Sequence, residues 1–204
     1  MHKYAYMTVM CILCCTAVAW AQSGDTPYQV RYATNLQLGD ARVYMTNTGA
    51  NSTTAFPTQN GNICANVYGF SPDERLVACC SCFITPNGLA SLSVWRDLLG
   101  DSPFVFPRPN ALVIKLMASL GTAASSSCDA GHVGDGTHPI VPALAAWGTS
   151  PEPSGFFGTP PFITATPFTP STLSAAELVS LNTQCLSLHS TPHLCPSCPA
   201  SVVP

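Results

Sequence analysis

Residues 62–94, N-I-C-A-N-V-Y-G-F-S-P-D-E-R-L-V-A-C-C-S-C-F-I-T-P-N-G-L-A-S-L-S-V, constrain this chain more than any other stretch. They read as three consecutive antiparallel strands with a turn at each junction, and they carry Cys64, Cys79, Cys80 and Cys82. Ser71-Pro72-Asp73-Glu74 puts proline at the second turn position, where its fixed φ fits. Thr85-Pro86-Asn87-Gly88 repeats that chemistry, with Asn and Gly able to take positive φ. Between the turns side chains alternate, so Cys80, Cys82 and Ile84 face one way and Cys79, Ser81 and Phe83 the other. Neighbours Cys79 and Cys80 therefore diverge. Cys80 and Cys82 sit roughly 6.5–7 Å apart along a strand, at the limit for a bridge and with poorly directed Cβ atoms. All three must look beyond their own strand for partners.

The amino terminus supplies the redox context. A short basic start at residues 1–3 precedes an apolar and small-residue run over 4–20, and Ala19-Trp20-Ala21 fits a small-x-small cleavage site. Residues 1–21 are thus expected to be a signal peptide of the general secretory route, with Gln22 opening the mature chain. The run is too short for a retained anchor, and Ile12 and Leu13 fill positions where a lipoprotein signal wants small residues. Removing the leader takes Cys11, Cys14 and Cys15 with it and leaves eight of the 11 cysteines. An even number in an exported chain reads as disulfides, which makes Cys64, Cys79, Cys80, Cys82, Cys128, Cys185, Cys195 and Cys198 the expected framework. Their connectivity stays open.

Residues 22–204 are long enough for one domain with its own core, and none of their segments is apolar enough to cross a membrane. Residues 28–34 and 42–46 carry β-favouring alternation, and 47–60 is a polar loop in which Asn51-Ser52-Thr53 matches a glycosylation sequon. A strand is expected over 91–99. The apolar run A-L-V-I-K-L-M-A-S-L at 111–120 is assigned to a strand by its Val/Ile content and proline-rich approach. Short strands are expected at 144–148 and 162–167. One helix is signed clearly at about 175–188. Ser174 and Glu177 form a capping box, with Leu173 and Leu178 at the hydrophobic staple positions. Leu178, Leu181, Cys185 and Leu188 then share one stripe, so Cys185 should face a sheet. The fold expected is mainly β: an antiparallel, immunoglobulin-like β-sandwich with one C-terminal helix and a disulfide-stapled tail.

At G-N-I-C-A-N-V-Y-G-F, L-V-A-C-C-S-C-F-I-T-P-N-G-L-A-S-L-S-V and T-P-F-T-P-S-T-L-S-A-A-E-L the chain resembles small cysteine-rich exported bacterial proteins of unknown function. The resemblance runs through most of the mature chain, and C-C-S-C…T-P-N-G-L is its most specific part. It implies an exported bacterial protein with a shared cysteine framework, and it makes the sequon at Asn51 irrelevant. It carries no activity and no catalytic residue to transfer.

Chemistry is thinly written. Cys185, His189, His193, Cys195 and Cys198 cluster in sequence and Cys195-x-x-Cys198 has zinc-site spacing, but Cys79-Cys80-x-Cys82 does not provide the second ligand pair of a zinc site, so disulfides are the expected state. Asp129, His132, Asp135 and His138 follow Cys128 at three-residue spacing and could converge on a divalent ion, although the spacing suits no regular element. There is no G-x-S-x-G elbow for a hydrolase. Asp73-Glu74 lie in one turn, and Glu152 stands between prolines, a poor pair for glycoside cleavage. Tyr68, Trp95, Trp147, Phe156 and Phe157 are candidates for a sugar or partner contact, with packing the plainer role. Charged residues are 8% of the chain, six Lys/Arg against ten Asp/Glu after the leader, which is no nucleic-acid footprint. The expectation is an exported, non-enzymatic structural or surface-interaction protein without cofactor, secreted or periplasmic, able to self-associate or meet a cell-surface partner. It should have no membrane contact after cleavage. The N-terminal segment 26–34 is a candidate donor strand for such assembly. The alternatives are an exported metal-binding protein using one of the two clusters, and a small secreted hydrolase.

Overall fold

A computed structural model describes residues 26–51, 61–100, 107–122, 128–155, 159–188 and 198 of the 204-residue chain. Residues 1–21, expected to be a leader, and Phe156, Phe157, His189, His193 and Cys195 lie outside the described residues. Nine strands and a helix follow in order: β1 (Tyr28–Ala33), β2 (Arg42–Asn47), β3 (Ile63–Phe70), β4 (Leu76–Ile84), β5 (Leu89–Ser93), β6 (Leu112–Leu120), β7 (Leu144–Glu152), β8 (Phe162–Pro167), β9 (Thr169–Pro170) and α1 (Ala175–Leu188). The first sheet runs β4-β3-β6-β1-β9 and the second β5-β2-β7-β8, with every pairing antiparallel. The protein is a β-sandwich.

The alternation of the sequence explains the layers. Val67, Cys80, Cys82, Ile84, Ile114 and Leu116 point from the first sheet toward Val43, Met45, Leu92, Leu144 and Ala146 of the second. On the other side of the first sheet, Tyr28, Tyr68, Cys79 and Met117 meet Leu181 and Cys185 of α1. This sheet is covered twice, which is why β3 and β4 are buried at every position despite being antiparallel. Burial of a Leu or Ile in such a core is worth about 1.5–3 kcal/mol. The second sheet has one covered face.

Connectivity departs from the sequence expectation at β5. β3 and β4 pair as a hairpin, but β5 crosses to the second sheet and pairs with β2. Asn47 decides this. Its carbonyl accepts from Asn87 N–H at 2.8 Å, its own N–H donates to the Gly88 carbonyl, and its buried amide donates to the carbonyls of Gly61 and Ile84. The Thr85–Gly88 turn, with Asn87 at φ +60°, is thereby a corner tied to the end of β2. β2 next to β5 and β3 next to β6, with consecutive strands in opposite sheets, is the interlocked centre of an immunoglobulin-like sandwich. The flanks are exchanged: β1 lies beside β6, where the last strand of such a domain would sit, and β7 lies beside β2, in the place of the first.

Two boundaries also differ. The strand expected over 91–99 stops at Ser93, because the chain closes into a π-helical turn over Val94–Leu98. Ser93 Oγ accepts from Arg96 N–H while Asp97 accepts from Ser93 N–H at 2.6 Å, a reciprocal cap. β7 extends four residues past the expected end, to Glu152. In α1 the Ser174 Oγ accepts from Glu177 N–H at 3.1 Å, as a cap should, and Leu173 and Leu178 pack on the cluster beneath. The second half of the capping box is absent, because Glu177 reaches instead to Tyr28 and Lys115, each at 2.6 Å.

Candidate interaction surface

The cysteines are placed by the alternation of β4 and the stripe of α1. Cys79 bridges to Cys185, Cys82 to Cys198 and Cys64 to Cys128, with Cα separations of 5.6, 5.2 and 5.4 Å. Cys80 is also disulfide-bonded, and since the other described cysteines pair among themselves its partner lies outside the described residues. Cys195 lies there as well. No described cysteine is a thiol, so none can act as a nucleophile. One bridge holds α1 on the first sheet, and another holds Cys198 against Ser81, whose carbonyl lies 3.5 Å from Cys198 Sγ.

Of the two metal candidates, the 129–138 loop does not assemble as a ligand set, and the C-terminal group is described only at Cys185 and Cys198, since His189, His193 and Cys195 lie outside the described residues. Cys185 and Cys198 belong to different bridges. Asp129, His132, Asp135 and His138 form two separate local pairs, Asp129–His132 at 2.7 Å and Asp135–His138 at 3.1 Å. The Thr137 hydroxyl, followed by the backbone N–H groups of His138 and Thr137, holds the Asp135 carboxyl far below the usual range. That is turn chemistry: Asp135 organises its own loop. Among the described residues no three His, Cys, Asp or Glu side chains come together as a ligand set.

The aromatic candidates divide. Tyr68 is core, with its hydroxyl donating to the Ala130 carbonyl at 2.7 Å and its pKa driven up by burial. Trp95 packs on the core edge under the Arg108 guanidinium. Trp147 stands on the uncovered face of the second sheet and stacks on Tyr44, with centroids 5.5 Å apart and rings 12° from parallel. An open cleft of about 350 Å³ lies where the end of α1 meets the start of β4, lined by Glu74, Arg75, Leu76, Gln184 and Ser187 among others. Ser187 Oγ donates to the Gln184 carbonyl of its own helix, which is not the arrangement of an activated serine.

Among the described residues Tyr32 on β1, Leu38 ahead of β2, and Val179 and Leu186 on α1 are exposed large hydrophobics, and the other four lie on the second sheet. Leu89, Trp147, Phe162 and Ile163 are all exposed there, the last two at 53% and 59%. Pairing directly across the strands puts Tyr44, Trp147 and Pro167 in one row of the uncovered face. β8 closes this sheet and is exposed at five of its six positions. None of the described strands pairs with its outer side. Phe168 N–H donates to the Ala146 carbonyl, so the even-numbered backbone groups of β8 turn toward β7 and the odd-numbered ones toward the open edge.

A buried cation holds this edge in place. Arg31 projects from β1 between the sheets, donating from Nε to Thr166 Oγ1 at 3.1 Å and from Nη2 to Ser150 Oγ at 2.9 Å. Burial lowers its pKa, and the charge of Glu152 opposes that shift. Its Nη1 has no hydrogen-bond partner among the described residues. The 26–34 segment, a candidate donor strand from its sequence, is therefore an internal strand, paired with β6 on one side and β9 on the other. Residues 162–167 read as a strand from their sequence, but their position at the edge went unread. The available signal was Pro161 and Pro167, six residues apart on the same side of the strand, since proline within a sheet is confined to positions whose N–H would face solvent.

No family model matches the chain, and neither does any curated protein or solved structure. The molecule must be read from its own geometry.

Proposed function

We propose that this is an exported, non-enzymatic structural or surface-interaction protein, working outside the cytosol as a disulfide-locked platform that meets other proteins through its second sheet. The observation that carries the reading is the contrast between the two sheets. The first is covered on both faces and fastened by bridges, while the second leaves one face and the β8 edge open. Bridges of this kind persist in oxidising compartments, which supports a periplasmic or extracellular address. The leader at residues 1–21 and the resemblance to exported bacterial proteins point the same way. An exposed edge with apolar side chains is the usual template for adding a strand from another chain.

The test is export with oxidation. The full-length chain, expressed in a bacterium, should be recovered outside the cytoplasm beginning at Gln22, and denatured non-reduced protein should show no reactive thiol. Retention in the cytoplasm, or several titratable thiols, would sink the reading.

A further inference from the structure

We infer that the β8 edge pairs with the β8 edge of a second copy of this chain, in one register, joining two second sheets into a continuous sheet about a twofold axis at Thr164. This rests on the platform reading above and names its partner.

The backbone selects the register. The open edge of β8 presents the N–H and C=O groups of Ile163 and Ala165, flanked by Pro161 and Pro167, which have no N–H to offer. Antiparallel pairing of the edge with itself is self-complementary when Ile163 faces Ala165 of the second copy, for then both residues exchange both bonds. The same register sets Pro161 opposite Pro167, so the two positions without donors meet each other. Shifting the strands would place a proline against Ile163 or Ala165 and forfeit bonds. Side chains agree with this arrangement. Phe162 falls across from Thr166, and Ile163 across from Ala165, so the two exposed apolar residues gain cover.

Charge chooses the occupant. Residues 153–176, the stretch containing the edge, hold no charged side chain, so two such edges approach without repulsion and offer nothing to an acidic or basic peptide. The usual guard of an edge strand, a lysine, is missing; prolines instead limit the pairing to a short length. A closed pair results, since the prolines and the twofold axis leave β8 no further edge to extend.

The experiment uses the mature, oxidised protein in analytical ultracentrifugation across a concentration series. Wild type should show a reversible monomer–dimer equilibrium. Ala165→Pro removes an N–H that meets only solvent in the monomer, so the fold should keep its melting temperature while dimerisation weakens at least about tenfold. Thr164→Cys should give a covalent dimer without reductant, because residues facing across the axis have Cα atoms about 4.5 Å apart. Ala165→Cys should not, since its counterpart is displaced by two residues along the strand, beyond the roughly 7 Å a bridge tolerates. A wild type that stays monomeric at every concentration overturns the pairing. So does a dimer unaffected by Ala165→Pro, or cross-linking as efficient at Ala165 as at Thr164. The broader reading is judged separately, by export and thiol titration, neither of which depends on dimerisation.

Discussion

Gly148 leaves the space that the Arg31 guanidinium fills. A Cβ at Gly148 would lie 2.9 Å from Arg31 Cζ, Nε and Nη1, closer than real contacts allow. The cation thus lies flat over the backbone of β7 and reaches hydroxyls on β7 and β8, tying the edge strand to the first sheet. Gly148→Ala should displace it and destabilise the fold by about 1–3 kcal/mol. Arg31→Met removes a buried charge that no carboxylate contacts, and should be neutral or stabilising, as hydrophobic replacement of buried ionic groups often is. In the double variant the cost of Gly148→Ala should shrink. Urea denaturation of the four proteins measures the coupling, and strictly additive values would refute it.

The Cys79–Cys185 bridge closes a sequence separation of 106 residues, for which chain entropy alone predicts about 4–5 kcal/mol of stabilisation. Overlap with the Cys64–Cys128 and Cys82–Cys198 loops lowers the share of any single bridge. Replacing both Cys79 and Cys185 by alanine should therefore cost about 2–5 kcal/mol and loosen α1 first. Hydrogen exchange would show this as lost protection in Ala175–Leu188 ahead of the sheets.

Glu177 makes the helix sensitive to acid. Partial burial pulls its carboxyl up, but hydrogen bonds from Lys115 and Tyr28 and the Lys115 charge outweigh that and leave its pKa below the ordinary value of 4.5. A depressed carboxyl stabilises the fold fully above its unfolded pKa, and that contribution is lost as pH falls through the folded value. Glu177→Gln should lower stability at pH 7 by about 1–2 kcal/mol. The gap from wild type should narrow progressively as pH falls below the ordinary carboxyl value of 4.5. Melting curves against pH check this. A gap that is constant from pH 7 to pH 3 would show that the Glu177 charge contributes nothing.

Cys80 needs a partner from outside the described residues. If the leader carries away Cys11, Cys14 and Cys15, Cys195 is the cysteine left in the mature chain. Peptide mapping without reductant should find Cys80 joined to Cys195, and the intact mature protein should weigh eight hydrogens less than its reduced form. A peptide linking Cys80 to any other cysteine would break the scheme.

The order of strands was largely legible in the residues, because alternation and turn chemistry are local. Residues 62–94 announce their strands and the opposite facings of Cys79 and Cys80, and Ser174 marks the start of α1. Local signals cannot say which strand lies beside which. The path of β5 to the second sheet depends on Asn47, 40 residues before the Asn87 it binds, and the buried place of Arg31 depends on Gly148, more than a hundred residues away. The two sheets look alike in the sequence. It was the docking of α1 on one of them, through Leu181 and Cys185, that left the other with a face and an edge in water. Sequence alone determined which faces of the strands were apolar. Tertiary packing decided which of those faces found cover, because burial is a property of the assembled layers and not of any strand by itself.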